Sequence, residues 1–311
     1  MDLMNCAAFL REHDGYLLVT HLRPDGDTLG SAAALCNALR RLGKTAFLYV
    51  NPQVTERYRP MVAPYFAPAD FVPQTVVAVD LADQALFPQG FSAPVDLCID
   101  HHPSNSGYAA QTLLREEKAA CGEIVLELIE ALCGAPNIQE ANLLYTAVST
   151  DTGCFAYANT KADTFHAAAR LLEAGAENAR LNQLLFRKVS AARLKLEGMI
   201  YNSLRCERNG EVVIATVTLD MLCHAGATEN DCDDLASLAG RVEGGLISAT
   251  IREMEGGGCK VSVRSGPEIN ASAVCAKFGG GGHAMAAGCS LQMGPEETAE
   301  AILRAIDEVR Q

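Results

Sequence analysis

The sequence predicts an α/β protein of two domains: an N-terminal domain with a mostly parallel β-sheet and a smaller C-terminal α+β domain, joined by a helical linker. The chain has 311 residues, which exceeds the usual size of one domain. Short apolar runs alternate with helical segments through the first hundred residues, as they do in parallel sheets. Strand-like patterns return from about residue 206.

Four apolar runs predict the strands of the N-terminal sheet, at residues 16–20, 45–50, 76–79 and 95–99. A helical pattern covers residues 29–42 and ends before Gly43, the residue type that most often follows a helix. From residue 121 to about 185 the apolar residues recur at helical spacing. We therefore expect the domain to span 1–187, followed by a linker at 188–205 and a second domain at 206–311.

The linker and the second domain have distinct compositions. Residues 187–208 carry six basic and two acidic side chains, which suits either a solvated linker helix or a binding role. Beyond them, strands are predicted at 212–217, 246–251 and 259–263. A glycine cluster follows at 279–282, and an amphipathic helix covers 295–309.

Composition excludes several classes of protein. No run approaches the roughly 20 apolar residues that span a bilayer, and the N-terminal residues lack a basic leader, so we expect a cytoplasmic protein without a membrane partner. The twelve cysteines occur without any CxxC pair, which favours buried free thiols over a zinc site or a disulfide framework. The net charge of −13 argues against a protein that grips long nucleic acid. A nucleic-acid substrate would have to be short.

Ionisable side chains follow three of the predicted strands and end one predicted helix. Because the carboxyl ends of parallel strands meet at one edge of the sheet, we expect these side chains to converge. They are His21, Asp25 and Asp27; then Asp80; then Asp100, His101 and His102; and finally Asp151.

Charge balance indicates that this set binds metal. Four clustered aspartates repel one another and need counter-charge, which two divalent cations would supply. A mixed carboxylate and imidazole set suits Mn²⁺ better than Ca²⁺ or thiolate-bound Zn²⁺. Taken singly, each aspartate could be a helix cap or turn residue, and the His101–His102 pair could belong to an ordinary loop. Their combination at three strand ends favours the metal site.

The motifs resemble those of a known family. HLRPDGD at 21–27, VVAVD at 76–80, DHHP at 100–103 and STDTG at 149–153 resemble the four motifs of the DHH phosphoesterases. VSVRS at 261–265 and FGGGGHAMAAG at 278–288 resemble the substrate motif of the DHH-associated domain. The resemblance covers nearly the whole chain.

The resemblance implies a role for each residue. Asp80 would bridge both ions, Asp100 would orient His101, and His102 would face the phosphate or the leaving group, so that His102, Asp80 and Asp100 are the catalytic residues. The implied ligands of the two divalent ions are His21, Asp25, Asp27, Asp80, His101 and Asp151.

The second domain is expected to bind substrate in a clamp that closes over the metal site. Consecutive glycines leave backbone N–H groups able to cradle an anion, although a flexible turn is the plain alternative. Arg252 is a weaker candidate, because an exposed arginine at a strand end needs no ligand. The substrate-binding candidates are Arg264, Ser265, Gly280, Gly281, Gly282, His283 and Arg252.

The activity implied by the resemblance is metal-dependent hydrolysis of short oligoribonucleotides, such as nanoRNA and the dinucleotide pGpG, to 5′-mononucleotides. The same enzymes remove the 3′-phosphate from 3′-phosphoadenosine 5′-phosphate (pAp). Alternatives are a cyclic-dinucleotide phosphodiesterase and a RecJ-like single-strand exonuclease. Two other classes stay open: a non-catalytic nucleotide-binding regulator and a structural metal or redox protein. The resemblance is also compatible with a homodimer.

Overall fold

The chain divides into two compact units, Met1–Lys188 and Val189–Gln311. The computed structural model describes residues 1–232 and 235–310. The predicted α/β class is confirmed, with a parallel sheet in the first unit and a mixed sheet in the second. The segment expected to be a linker, 188–205, is grouped almost wholly with the second unit.

The first unit contains a parallel sheet. Its strands are β1 (Tyr16–Val19), β2 (Ala46–Leu48), β3 (Thr75–Val79), β4 (Leu97–Asp100) and β5 (Gln111–Leu114). Their order is β2-β1-β3-β4-β5, and every pairing is parallel. Strand β5 was not predicted. It lies at the sheet edge and is only partly buried, so its sequence lacks a continuous apolar run.

The α-helices of the first unit pack on one face of the sheet. They are α1 (Leu3–Glu12), α2 (Gly26–Arg41), α3 (Arg59–Val62), α4 (Cys121–Cys133), α5 (Ile138–Asp151), α6 (Ala162–Glu173) and α7 (Asn178–Asn182). Helix α2 begins three residues earlier than predicted. The Asp25 carboxylate caps it by accepting the backbone N–H groups of Asp27 and Thr28, at 3.0 and 3.2 Å.

Both faces of this sheet are buried, which explains why its central strands read as unbroken apolar runs. Tyr16 and Leu18 pack against the helices on one face, and Leu17 and Val19 pack into a second apolar cluster on the other. Helices α2 and α5 pack closely because residue 30 is a glycine: a Cβ there would lie 2.4 Å from the carbonyl oxygen of Leu143. This packing places the start of α2 beside the end of α5.

In the described part of the second unit there are six strands and four α-helices. Its helices are α8 (Ala191–Asn202), α9 (Leu219–Ala225), α10 (Ala271–Ala276) and α11 (Pro295–Val309). Its strands are β6 (Arg205–Glu207), β7 (Val212–Val217), β8 (Ile247–Glu253), β9 (Cys259–Ser265), β10 (Gly281–His283) and β11 (Ala286–Leu291). The order is β10-β11-β9-β8-β7-β6, and only β7 and β8 pair in parallel.

The state of the cysteines and the length of the helices can be compared with what the composition predicted. All twelve cysteines are free thiols, and only Cys206 and Cys223 are exposed. In residues 1–232 and 235–310, none of the helices is long and apolar enough to cross a membrane.

Candidate metal centre

The predicted ligands meet at the carboxyl edge of the first unit's sheet. His21 lies two residues after β1, Asp80 directly follows β3, and His101 directly follows β4. The start of α2 contributes Asp25 and Asp27, and the end of α5 contributes Asp151. All six therefore come together: five of them follow parallel strands, and Asp151 ends α5.

Asp80 lies between two groups of these side chains. Its Oδ2 is 4.0 Å from Nε2 of His21, which is 3.7 Å from Oδ1 of Asp25. Its Oδ1 is 3.4 Å from Nε2 of His101. The same His101 nitrogen is 3.9 Å from Oδ2 of Asp27 and 3.8 Å from Oδ2 of Asp151. One carboxylate thus offers an oxygen to each of two groups of donor atoms.

Backbone carbonyls fix the orientation of both imidazoles. Nδ1 of His21 is 2.8 Å from the carbonyl oxygen of Leu22, and Nδ1 of His101 is 3.1 Å from that of Lys118. A carbonyl oxygen only accepts, so each Nδ1 carries the hydrogen. Nε2 is therefore the nitrogen that faces the carboxylates, and in the neutral ring its lone pair points to the site, as a metal-binding histidine needs.

The Asp80 backbone adopts a left-handed conformation, with φ of 57°. This conformation is unfavourable for a residue with a Cβ, and such residues concentrate at functional sites. Its N–H donates to the carbonyl of Ile99 at 2.8 Å, and the Thr28 hydroxyl donates to the carbonyl of Val79 at 2.8 Å. These hydrogen bonds hold the backbone at Val79 and Asp80 against β4 and α2.

Asp27 has a structural role as well. Its carboxylate accepts the backbone N–H groups of Cys121 and Gly122, at 2.7 and 2.9 Å, and the Ser31 hydroxyl at 3.0 Å. Helix α4 begins at Cys121 after Ala120, which has no capping side chain. Asp27 therefore caps α4 from another helix, and this rigid hold fixes its position at the site.

Asp100 holds His102, and this corrects the expectation that it orients His101. Oδ1 of the buried Asp100 is 2.7 Å from Nδ1 of His102 and accepts the N–H of His101 at 2.8 Å. Residues two apart in extended chain point to the same side, whereas neighbours point to opposite sides. The His101 ring accordingly turns to the carbonyl of Lys118.

Asn105 is a partner that the sequence did not single out. Its Nδ2 donates to Oδ2 of Asp100 at 2.7 Å, so both Asp100 oxygens accept hydrogen bonds. Its Oδ1 accepts the N–H of Gly107 at 2.9 Å. An asparagine in a turn is so common that its position five residues after Asp100 carried no distinct signal.

The pKa values of the site's side chains are shifted because several charged groups lie close together. Burial and the Asp80 and Asp151 carboxylates hold the pKa of Asp27 well above its ordinary value. Burial raises the pKa of Asp151 to about 6, against the opposing effect of His101. Burial alone would lower the pKa of His101, but the Asp80 and Asp27 carboxylates raise it to about 10. Acidic groups so placed need positive charge among them.

The donor set fits divalent metal ions. Oδ1 of Asp80 and Nε2 of His101 are buried without a hydrogen-bond partner, which is costly unless something else binds them. Among the residues that the structure describes, three groups bring their potential ligand atoms within 4.8 Å of one another inside each group: Asp80 with His101 and His102; His21 with Asp25 and Asp80; Asp27 with His101 and Asp151. Carboxylate and imidazole donors suit Mn²⁺ and similar ions.

The predicted substrate residues of the second unit lie around one end of its sheet. Arg264 on β9 and His283 on β10 both pair with Ala286 on β11, so the two side chains share a face about 10 Å apart. Gly280 approaches β11 so closely that a Cβ would lie 2.3 Å from the carbonyl of Gly288. The Ser265 hydroxyl donates to the carbonyl of Ile269 at 2.6 Å, which fastens the adjoining loop.

Arg252 is not brought to this group. On β8, Arg252 pairs with Lys260 of β9. Arg264 of β9 pairs instead with Ser248, which lies four residues before Arg252. That spacing corresponds to about 13 Å. Its guanidinium instead forms an ion pair with Glu229. Arg252 is therefore mostly buried and ion-paired, whereas the sequence alternative took it for an exposed arginine at a strand end.

The sequence is similar to those of known protein families. Residues 16–148 match the DHH family, N-terminal domain, and residues 209–311 match the DHHA1 domain. The bifunctional oligoribonuclease and PAP phosphatase NrnA of Thermus thermophilus is 35% identical over 298 residues, which cover 94% of this chain and 89% of that protein.

Two solved structures have the same fold. An exopolyphosphatase-related protein from Bacteroides fragilis superposes with a TM-score of 0.90 at 19% identity, covering 99% of this chain and 96% of that one. RecJ of Thermus thermophilus in complex with Mn²⁺ gives 0.55 at 17% identity, covering 97% and 54%. With its matched domains and its resemblance to NrnA across most of both sequences, the chain belongs to the DHH family of phosphoesterases.

Proposed function

We propose that this chain is a metal-dependent phosphodiesterase that hydrolyses short oligoribonucleotides, including dinucleotides such as pGpG, to 5′-mononucleotides. We further propose that it removes the 3′-phosphate of pAp. The observation that carries the proposal is the position of Asp80, whose two oxygens face two separate histidine–carboxylate groups. The activity named for the NrnA relative supports the choice of substrate.

The proposed cofactor is a pair of Mn²⁺ ions. His21, Asp25 and Asp80 would hold one ion, and Asp27, Asp80, His101 and Asp151 would hold the other. When bound, such a pair supplies Lewis acidity at the phosphoryl oxygens and a water molecule of lowered pKa. The chain's own part is to keep these donors fixed by the hydrogen bonds to Leu22, Lys118 and Cys121.

His102 is proposed to protonate the leaving oxygen. Its Nδ1 is held by Asp100, so Nε2 is the nitrogen that is left for the substrate. Hydrolysis forms a bond between phosphorus and the water oxygen and breaks the bond between phosphorus and O3′. The proton passes from Nε2 to O3′, which leaves a 3′-hydroxyl on one product and a 5′-phosphate on the other.

Charge supports a short substrate. The chain carries 25 basic and 38 acidic residues, so a long strand would meet net repulsion outside the site. Within the second unit, Arg264 and His283 share one face of the sheet, and we propose that they bind a phosphate of the substrate. The free state of all twelve cysteines supports a cytoplasmic location.

A length series tests the proposal. End-labelled RNAs of two to about twenty nucleotides would be incubated with Mn²⁺ or with chelator, and pAp would be assayed for phosphate release. We expect fast Mn²⁺-dependent release of 5′-mononucleotides from the shortest RNAs and slower release as length increases. Equal rates on long strands would favour a RecJ-like exonuclease. Absence of hydrolysis with every divalent metal would favour a nucleotide-binding regulator.

A further inference from the structure

The carbonyl of Lys118, which orients His101, lies between two other carbonyls that also accept hydrogen bonds from side chains. Nδ2 of Asn159 donates to the carbonyl of the next residue, Ala119, at 3.1 Å. Nζ of Lys161 donates to the carbonyl one residue before Lys118, at 2.7 Å. Residues 159 and 161 therefore hold, from both sides, the peptide that fixes a proposed metal ligand.

Asn159 also binds the segment that carries a second proposed ligand. Asp151 is the last residue of α5, so its carbonyl has no partner within the helix. The three carbonyls before it accept backbone N–H groups of the turn that follows, at residues 152–154. The carbonyl of Asp151 accepts Nδ2 of Asn159 instead, at 3.1 Å. One side chain thus fixes the last carbonyl of α5.

The amide of Asn159 uses both of its N–H groups in these contacts. The carbonyls of Ala119 and Asp151 can only accept, so the nitrogen of the amide must face them. Its Oδ1 is buried, and no hydrogen-bond partner for it lies in the part of the chain that the structure describes. An unpaired buried acceptor costs free energy. The two donated hydrogen bonds therefore determine the orientation of this side chain.

The two segments that Asn159 joins carry donors of one proposed ion. Nε2 of His101 is 3.8 Å from Oδ2 of Asp151. His21 and Asp25, which belong to the other group of donors, follow β1 and precede α2 and lie on neither segment. A change at Asn159 should therefore affect one ion and spare the other.

We propose that Asn159 is a positioning residue for the ion held by Asp27, His101 and Asp151. It acts on this ion through the backbone of the two segments and does not touch the ion itself. This inference rests on the proposed function, because it takes the metal pair as given. Partners that orient metal ligands in this way contribute about 10- to 100-fold to metal affinity.

Binding of Mn²⁺ to variants that keep one ion, measured by equilibrium dialysis, tests this role without turnover. His21→Ala should retain the ion near Asn159, and His101→Ala should retain the other one. Adding Asn159→Asp should weaken Mn²⁺ binding about 10- to 100-fold in His21→Ala and by less than about twofold in His101→Ala. The reason is that a carboxylate has no N–H to donate and would face two carbonyl oxygens.

Two further variants show whether the loss is local. Asn159→Ala removes the amide without adding charge, and it should weaken the same ion. Asn178→Asp adds the same charge at an exposed position of the first unit, and it should weaken neither ion. Circular dichroism in chelator checks that each variant is folded.

The outcomes separate the two proposals. Equal weakening of both ions by Asn159→Asp and Asn159→Ala, or unchanged affinity in His21→Ala, would overturn the role of Asn159. Weakening confined to His21→Ala, in a protein that hydrolyses neither dinucleotides nor pAp, would support the role of Asn159 and reject the proposed function.

Discussion

Nδ1 of His102 lies 2.7 Å from Oδ1 of Asp100, a carboxylate that is fully buried. Asn105 donates to the other oxygen at the same distance. Burial alone would raise the pKa of Asp100, but its hydrogen bonds with His102 and Asn105 lower it below its ordinary value. Asp100 is therefore held as an anion that fixes the His102 ring and favours its protonated form.

Replacing Asp100 by asparagine tests this relationship. Asp100→Asn keeps the shape but removes the charge, so we expect kcat on dinucleotides to fall about 10- to 100-fold, as for other residues that support metal-site histidines. The variant should retain its circular dichroism spectrum and its Mn²⁺ stoichiometry. Asp70→Asn, at an exposed position, is the matched control. Unchanged kcat in Asp100→Asn would show that the Asp100–His102 pair has no catalytic role.

The left-handed backbone of Asp80 predicts a difference between two inactive variants. Asp80→Ala and Asp80→Gly should both abolish turnover. Glycine tolerates φ of 57°, so the free energy of unfolding of Asp80→Gly should exceed that of Asp80→Ala by about 0.5–1 kcal/mol in chelator. Denaturant unfolding measures the difference. If Asp80→Ala is the more stable variant, the turn is not strained.

Glu123 predicts a pH-dependent stability. Burial raises the pKa of this carboxyl above its ordinary 4.5, and its Oε1 has no hydrogen-bond partner. Because the folded-state pKa is the higher one, ionisation disfavours the folded state. The neutral Glu123 carboxyl therefore contributes to the stability of the folded state below about pH 4.5. This contribution is lost as the pH rises through the folded-state pKa.

Glu123→Gln should therefore raise Tm at pH 7 and change it less near pH 4.5, as measured by thermal unfolding in chelator at both values. Glu127 forms ion pairs with Lys118 and Arg115, so Glu127→Gln should bring no gain at pH 7. The same Tm shift for Glu123→Gln at both pH values would contradict the assignment.

The two arginines of the second unit should behave differently. Arg264 shares a sheet face with His283, whereas Arg252 forms an ion pair with Glu229. We expect Arg264→Ala to lower kcat/KM on pAp about tenfold or more, the loss typical of a charge-assisted hydrogen bond of about 1.5–3 kcal/mol. Arg252→Ala should leave kcat/KM within about twofold. A larger loss in Arg252→Ala than in Arg264→Ala would reverse the assignment of substrate contacts.

The sequence predicted the strand-end residues of this site well because their placement follows from the sheet. His21, Asp80 and His101 each follow a buried apolar strand, and parallel strands bring such residues to one edge. The apolar runs that predicted β1, β3 and β4 arise from burial on both faces. Strands β2 and β5 lie at the two edges of the sheet. Strand β2 is still mostly buried and reads as apolar, whereas β5 has one buried residue of four and was missed.

The contacts that orient the site could not be predicted from spacing. Asp27 caps α4 across 94 residues of chain, and the carbonyl of Lys118 fixes the His101 ring. Neither partner has a side-chain signature, because the contacting atoms belong to the backbone. That Asp100 orients His102 and not His101 depends on the direction of each ring, which only the folded chain reveals.

Metal stoichiometry tests the central claim most directly. Equilibrium dialysis against Mn²⁺ with elemental analysis should give two ions per chain for the wild type. His21→Ala and His101→Ala should each retain one ion, since each removes a donor from a different group, and Asp80→Ala should bind both weakly. One ion per wild-type chain, or two ions held as tightly after loss of Asp80, would contradict a site built around a shared carboxylate.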